Sequence, residues 1–353
     1  MRSALLALAL AAVVCASCGA AAVHGAAQDS PACSSITLVA LSPDGTQIAF
    51  SGRRLGHGPL PVRAICVAGA DGKNATPLPR TVCRKTCPLD LIDSPTQLYW
   101  VAPKLLLYGD DFRIFLVPVG GKPQPLGSEP GSFEQFSVDA AGDRVAAGNT
   151  DCPRCMGPVT VLDVPSGRVV GRFGGSKFDN IEPSISPDGS QVVFARNFAD
   201  DSGRTLGLWT ADADGSHLHR LVQTNVGGTR PLWSPAGDQI AYLESAADSS
   251  ALLLIPAHGG RSHTLVPHGV EAVFGWSPDA QSIALEAQGR LEVVNVASGK
   301  VRSLLELHFA PSVAWSPNSG QLLVNTWPRA KGCRTSLWRV PAGGGKPQLL
   351  RHC

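Results

Sequence analysis

Charge is scarce in this sequence. Asp, Glu, Lys and Arg make up 16% of the 353 residues, where a globular chain carries about a quarter. The net charge of +2 is far too weak to argue for nucleic acid, where a clustered basic face is expected. Aromatic residues reach only 6%, with three Tyr, and there are two Met. Long apolar runs are missing as well. The stretch from Ala4 to Val14 falls short of the roughly 20 residues a membrane helix needs, and no later segment exceeds it. No Gly-x-Ser-x-Gly elbow, Walker loop or dinucleotide fingerprint occurs, so the sequence offers no linear catalytic or cofactor signature. Disorder is excluded from the other side, because 44% of the chain is hydrophobic and can be buried.

What is abundant is punctuation. The 38 Gly and 28 Pro have no collagen-like period and separate short apolar segments, as turns separate strands. The N-terminus reads as an export signal, residues 1–27: Arg2, the apolar Ala4–Val14, then small residues through Ala27. Cleavage after Ala27 competes with a lipoprotein box at Cys15-Ala16-Ser17-Cys18-Gly19, in which Cys18 would be lipidated. Residues 28–35 form a short N-terminal segment and 36–353 a single domain. Eight of the ten cysteines follow Ala27. An even number in an exported chain favours disulfides.

One phrase recurs along the chain. Leu41-Ser42-Pro43-Asp44-Gly45 precedes Ile48-Ala49-Phe50, and Ile185-Ser186-Pro187-Asp188-Gly189 precedes Val192-Val193-Phe194. Variants begin at Trp233, Trp276 and Trp315; worn copies lie at Trp100-Val101-Ala102-Pro103 and Asp139-Ala140-Ala141-Gly142. A second series of Gly turns at Gly72, Gly121, Gly167, Gly215, Gly260, Gly299 and Gly345 repeats at 39 to 49 residues. Pro presets φ, Asp caps the turn with its carboxylate and Gly takes positive φ, so each phrase is a hairpin. Two hairpins give a unit of four antiparallel strands, A to D. Such a unit cannot bury its own faces, and stacking units around an axis buries both.

At these residues the chain resembles the TolB-like, WD-like propeller repeat. The expected fold is all-β: a β-propeller of four-stranded antiparallel blades, seven by motif count, with six as the alternative. The resemblance implies a periplasmic or cell-surface location and a binding or scaffolding role. The aromatic residue before Ser-Pro is expected where neighbouring blades press together.

Hairpin logic places the A–B and C–D turns on one face and the longer D–A and B–C connections on the other. Variable connections on a rigid scaffold are where binding resides, and Arg84, Lys85 and Arg154 lie in them. Lys73, Lys122, Arg168, Arg261, Lys300 and Lys346 follow C–D turn glycines and read as ordinary exposed turn chemistry. Counting outward from the last C–D turn sets Cys333 opposite Cys353, a disulfide. Cys152-Pro153-Arg154-Cys155 sits between strands, away from any helix N-terminus, and reads as a structural disulfide. Cys33, Cys66, Cys83 and Cys87 allow three connectivities. His268 and His308 fall in corresponding D–A connections and are the candidate metal ligands. The expected function is an exported, monomeric, non-enzymatic binding or scaffolding propeller of the cell envelope, without cofactor, whose partner is a protein or envelope component. The alternative is a metal-dependent lyase or hydrolase of an envelope or environmental polymer, using the two histidines.

Overall fold

The computed structural model describes residues 33, 36, 38–54, 62–79, 97–109, 113–127, 135–148, 157–175, 178–198, 205–224, 231–245, 249–307, 312–326 and 335–352. Their regular structure is strand, with no α-helix among the described residues. The first unit holds β1 (Val39–Leu41), β2 (Gln47–Arg54), β3 (Val62–Gly69) and β4 (Thr76–Pro77). The second holds β5 (Gln97–Ala102), β6 (Leu105–Gly109), β7 (Ile114–Pro118) and β8 (Gln124–Pro125). The third runs β9 (Gln135–Val138), β10 (Arg144–Gly148), β11 (Val159–Asp163) and β12 (Val169–Phe173). The fourth runs β13 (Phe178–Ile185), β14 (Gln191–Phe198), β15 (Thr205–Asp212) and β16 (His219–Val222). Then follow β17 (Leu232–Trp233), β18 (Gln239–Ser245), β19 (Ser250–Pro256), β20 (His263–Trp276), β21 (Ser282–Ala287), β22 (Arg290–Asn295) and β23 (Val301–Glu306). The last four are β24 (Val313–Trp315), β25 (Gln321–Thr326), β26 (Ser336–Pro341) and β27 (Gln348–His352).

Five sheets have four strands in sequence order; β17 to β23 form one sheet of seven. Within it β20 pairs β19 through its first half and β21 through its second. It therefore ends one four-stranded unit and begins the next. Counted in both, β20 brings the four-stranded units among the described residues to seven.

The turns follow the chemistry expected of them. In the first, Ser42 Oγ donates to Asp44 Oδ1 at 2.6 Å and accepts from Gln47 N–H at 2.9 Å. Asp44 Oδ1 also accepts from Thr46 N–H at 3.0 Å, and Gly45 closes the turn at φ +71°. The arrangement repeats at Ser186–Asp188, Ser277–Asp279 and Ser316–Asn318. Where the third residue is Ala236, Ser234 turns to Asp238 at 2.6 Å. In the worn third copy Asp139 replaces the serine and accepts from the N–H groups of Asp143 and Arg144.

Packing runs between units, because successive strand residues face opposite neighbours. Phe194 joins Val161 and Phe173 of the third unit, while Val193 joins Trp233 and Tyr242 of the fifth. Seven such clusters are found, each shared by two adjacent units, and one joins the last unit to the first through Phe50, Cys66, Leu323 and Leu337. The units thus form a closed ring.

Closure uses no shared strand: β1 to β4 and β24 to β27 are separate sheets. Side chains stitch the seam. Asn325 Nδ2 donates to the Ile36 carbonyl at 3.1 Å, and Ile36 N–H donates to Thr335 Oγ1 at 2.8 Å. Arg351 donates to the carbonyls of Gly72 and Cys33 at 3.1 Å each and lies over the Phe50 ring. A disulfide, Cys33–Cys66, anchors the entering segment to β3. It is one of the pairings the sequence left open.

Candidate binding surface

Strand alternation sends the A–B and C–D turns to one face and the D–A and B–C connections to the other. The first face is uniform: five residues separate β1 from β2, β13 from β14, β17 from β18, β20 from β21 and β24 from β25. On the other face the connections differ widely, from 19 residues between β4 and β5 to Gln288-Gly289 between β21 and β22. Both of those residues have positive φ, 52° and 67°, as a two-residue hairpin of the primed kind requires.

The strand ends that meet the variable face are just as dissimilar. Past its apolar triplet, β14 carries Arg196, β18 carries Glu244, β21 carries Glu286 and β25 carries Asn325. Arg196 is 4% exposed. Its Nε donates to Asn180 Oδ1 at 2.9 Å, Nη2 donates to the Gly174 carbonyl at 3.3 Å, and the guanidinium lies 4.2 Å over the Trp209 ring. Burial pulls its pKa down, while carbonyl oxygens and ring faces offset the lost water. Asn180 Nδ2 reaches the Gly157 carbonyl of the third unit at 3.1 Å, so this polar bracket fixes the rim between two units. Thr224 donates to Glu244. Burial raises the Glu286 carboxyl pKa, with Glu271 adding to it. Arg196 and Glu286 were not singled out from the sequence. The available signal was a charged residue one or two positions after an apolar B-strand triplet.

The histidine expectation fares differently. His268 does not lie in a loop; it stands exposed within β20, where that strand passes from pairing with β19 to pairing with β21. Pro267 and Gly269 look like loop punctuation, yet the strand continues through them. Gly269 takes φ +79° and the ladder shifts register between Ser250 and Leu252 and again between Val270 and Ala272. Pro267 lies in the half of β20 that forms a unit's outer edge, where a missing N–H is tolerated. Among the described residues no three His, Cys, Asp or Glu side chains gather closely enough to hold a metal ion. His308, Arg84, Lys85, Arg154, Cys18 and the pairs Cys333–Cys353 and Cys152–Cys155 lie outside the described residues. No helix of the described residues is long and apolar enough to cross a membrane.

Clefts open on the uniform face among the described residues. One of about 260 Å³ follows the seam and includes Asp44, Asn318 and Arg339; Arg339 is already committed to the Ala70 carbonyl. Another, about 380 Å³, lies between the last two units and includes Asp279, Asn295, Lys300, Arg302 and Trp315.

No family model matches the chain. Curated proteins match parts of it. An uncharacterized protein of Agrobacterium fabrum, Atu1656, is 28% identical over 137 residues, covering 35% of this chain and 44% of its own. An uncharacterized peptidase of Bacillus subtilis, YuxL, is 25% identical over 107 residues, covering 29% and 16%. The chain thus spans less than half the length of either relative. Among solved structures, oligogalacturonate lyase in complex with manganese superposes with a TM-score of 0.66 at 12% identity, over 88% of this chain and 91% of that one. TolB from Acinetobacter baumannii gives 0.50 at 13% identity, over 84% and 81%. At these identities the likeness concerns the fold, and the fold is a TolB-like β-propeller.

The comparison also corrects one expectation. A flat exclusion of enzymatic activity does not stand, because the same architecture is that of an enzymatic family, the lyases. The exclusion rested on missing linear motifs. A propeller site is assembled from side chains of several units, and chemistry is recognised by geometry rather than by sequence position.

Proposed function

We propose that this chain is an exported propeller that captures a macromolecular partner or cell-envelope component on the face bearing the D–A and B–C connections. The observation that carries this reading is the asymmetry between faces. The Ser–Asp turns repeat one arrangement from unit to unit, whereas the opposite strand ends differ, with Arg196, Glu244, Glu286 and Asn325 in successive units. A rigid ring under dissimilar connections suits recognition. The N-terminal signal and the Cys33–Cys66 bridge support an oxidising compartment. A Cys18→Ala variant that moves from membrane to soluble fraction would identify lipid attachment there; unchanged release means cleavage after Ala27.

Footprinting tests the face. Exposed Arg and Lys side chains of the mature protein are chemically labelled before and after capture of material from an envelope extract. Arg84, Lys85 and Arg154 should be protected, while Lys122 and Lys346 stay reactive. The reverse pattern would refute the assignment. Incubating the captured material with and without added divalent metal, and measuring new polymer ends, reads turnover at the same surface.

A further inference from the structure

We propose that the cleft between the last two units is a binding site for a phosphate-bearing small ligand. It lies on the uniform face and does not rest on the reading of the opposite one. Its size, about 380 Å³, falls in the range of small-molecule pockets. Arg302 lies in β23 and Lys300 stands immediately before that strand, and both line the cleft. Neither makes an ion pair among the described residues. Arg302 Nη1 has one long contact, 3.5 Å to the Ala342 carbonyl. The Gly343-Gly344-Gly345 turn of the last unit adds no side chain to that edge.

The cleft is lined by two cations and one carboxylate. Asp279 is its single carboxylate, and its Oδ1 already accepts from Ser277 Oγ at 2.5 Å and from Gln281 N–H at 3.1 Å. Asn295 Oδ1 is filled by Ser298, N–H and hydroxyl, at 3.0 and 2.7 Å. Among the described residues the Lys300 ammonium has no acceptor and Arg302 has only the Ala342 carbonyl, and both residues line the cleft. Two adjacent cations match a dianion, and a guanidinium grips phosphate oxygens in pairs. Trp315 also lines the space, its indole N–H committed to the Gly275 carbonyl at 3.1 Å, and supplies an apolar wall for the carbon skeleton of an organic phosphate. In the seam cleft the one cation, Arg339, is already engaged by the Ala70 carbonyl.

Calorimetric titration of the mature protein at constant chloride tests the proposal, with inorganic phosphate and glucose 1-phosphate as probes. Saturable one-site binding is expected. Lys300→Ala/Arg302→Ala should weaken it about tenfold or more, the loss of roughly one charge-assisted contact or greater. Lys300→Arg should keep it, and Lys122→Ala/Lys346→Ala should leave it unchanged. Tighter binding of the sugar phosphate would assign an organic ligand, equal binding a free phosphate; either supports the site. Absence of saturable binding, displacement by chloride alone, or undiminished binding in the Lys300/Arg302 double variant would overturn it. Both side chains are exposed, and far-ultraviolet circular dichroism of the double variant confirms that the ring is intact.

Discussion

The indole N–H of Trp276 donates to the main-chain carbonyl of Leu232, one unit back, at 3.1 Å. Trp233 reaches Ser184 at 3.0 Å, Trp315 reaches Gly275 at 3.1 Å and Trp100 reaches Ala40 at 3.2 Å. In each case the acceptor is two residues before the neighbouring turn's serine, or its equivalent. The repeated aromatic therefore does more than fill space: it sets the height of one blade against the next.

Trp276→Phe keeps most of the apolar contact and leaves the Leu232 carbonyl without its donor. Loss of about 1–2 kcal/mol is expected from an unpaired buried acceptor, read from the urea midpoint. Trp276→Leu should cost more, because a cavity is added. A Phe variant as stable as the parent would show that the hydrogen bond contributes nothing.

Ala280 holds the turn position that Gly45, Gly189 and Gly237 hold elsewhere, at φ +59°. A Cβ in that region costs about 1 kcal/mol. Ala280→Gly should therefore stabilise by up to about that amount, less the entropy glycine adds to the unfolded chain. Gly237→Ala should destabilise at φ +76°, although the nearest atom to the added Cβ, on Pro187, is 3.9 Å away. Opposite signs in thermal melts are the check.

Much of this was legible in the sequence, and its failures have physical causes. Turn chemistry is local, so the Ser–Asp hairpins and even the worn copy at Trp100 could be read from residue order. The partner of each tryptophan could not, because blade-to-blade height is a property of the assembled ring. Pro267 and Gly269 suggested a loop, but ladder pairing on both sides holds β20 continuous. Cys33–Cys66 was one of three connectivities, since pairing depends on where the first unit's segments meet in space. The Lys300–Arg302 cleft went unread because Lys300 looks like an ordinary turn cation and the sequence conceals the gap between units.

The Cys33–Cys66 bridge closes a sequence separation of 33 residues. Chain-entropy reasoning gives about 3–4 kcal/mol for such a loop. The Cys33→Ala/Cys66→Ala variant should lose stability of that order. Its effect should also reach the last unit, because Arg351 donates to the Cys33 carbonyl. Hydrogen exchange should accelerate in β26 and β27 as well as in β3. Acceleration confined to β3 would separate the bridge from ring closure.

Acid should expose the turn carboxylates. The Ser186 hydroxyl, then the Ser190 N–H and hydroxyl, hold the Asp188 pKa below the usual range; Asp44 and Asp279 are lowered in the same way, first by Ser42 and Ser277. A depressed folded pKa contributes stability that is present above the unfolded value, about 3.9, and lost as pH falls through the folded one. The stability deficit of Ser186→Ala at pH 7 should shrink below about pH 4. Asp139 has the opposite sign: burial raises its pKa, so its proton is bound more tightly in the folded state and acid relieves its cost. A Ser186→Ala deficit independent of pH would remove the carboxylate from the account.

The most direct test of the central claim compares the two faces in one capture experiment from envelope extract. Mature protein, the Arg84→Ala/Lys85→Ala variant and the Lys122→Ala/Lys346→Ala variant are immobilised at equal density, and bound material is quantified. Capture should fall in the first variant and stay at the parental level in the second. Loss confined to the second variant would contradict the assignment of recognition to the face of the D–A and B–C connections.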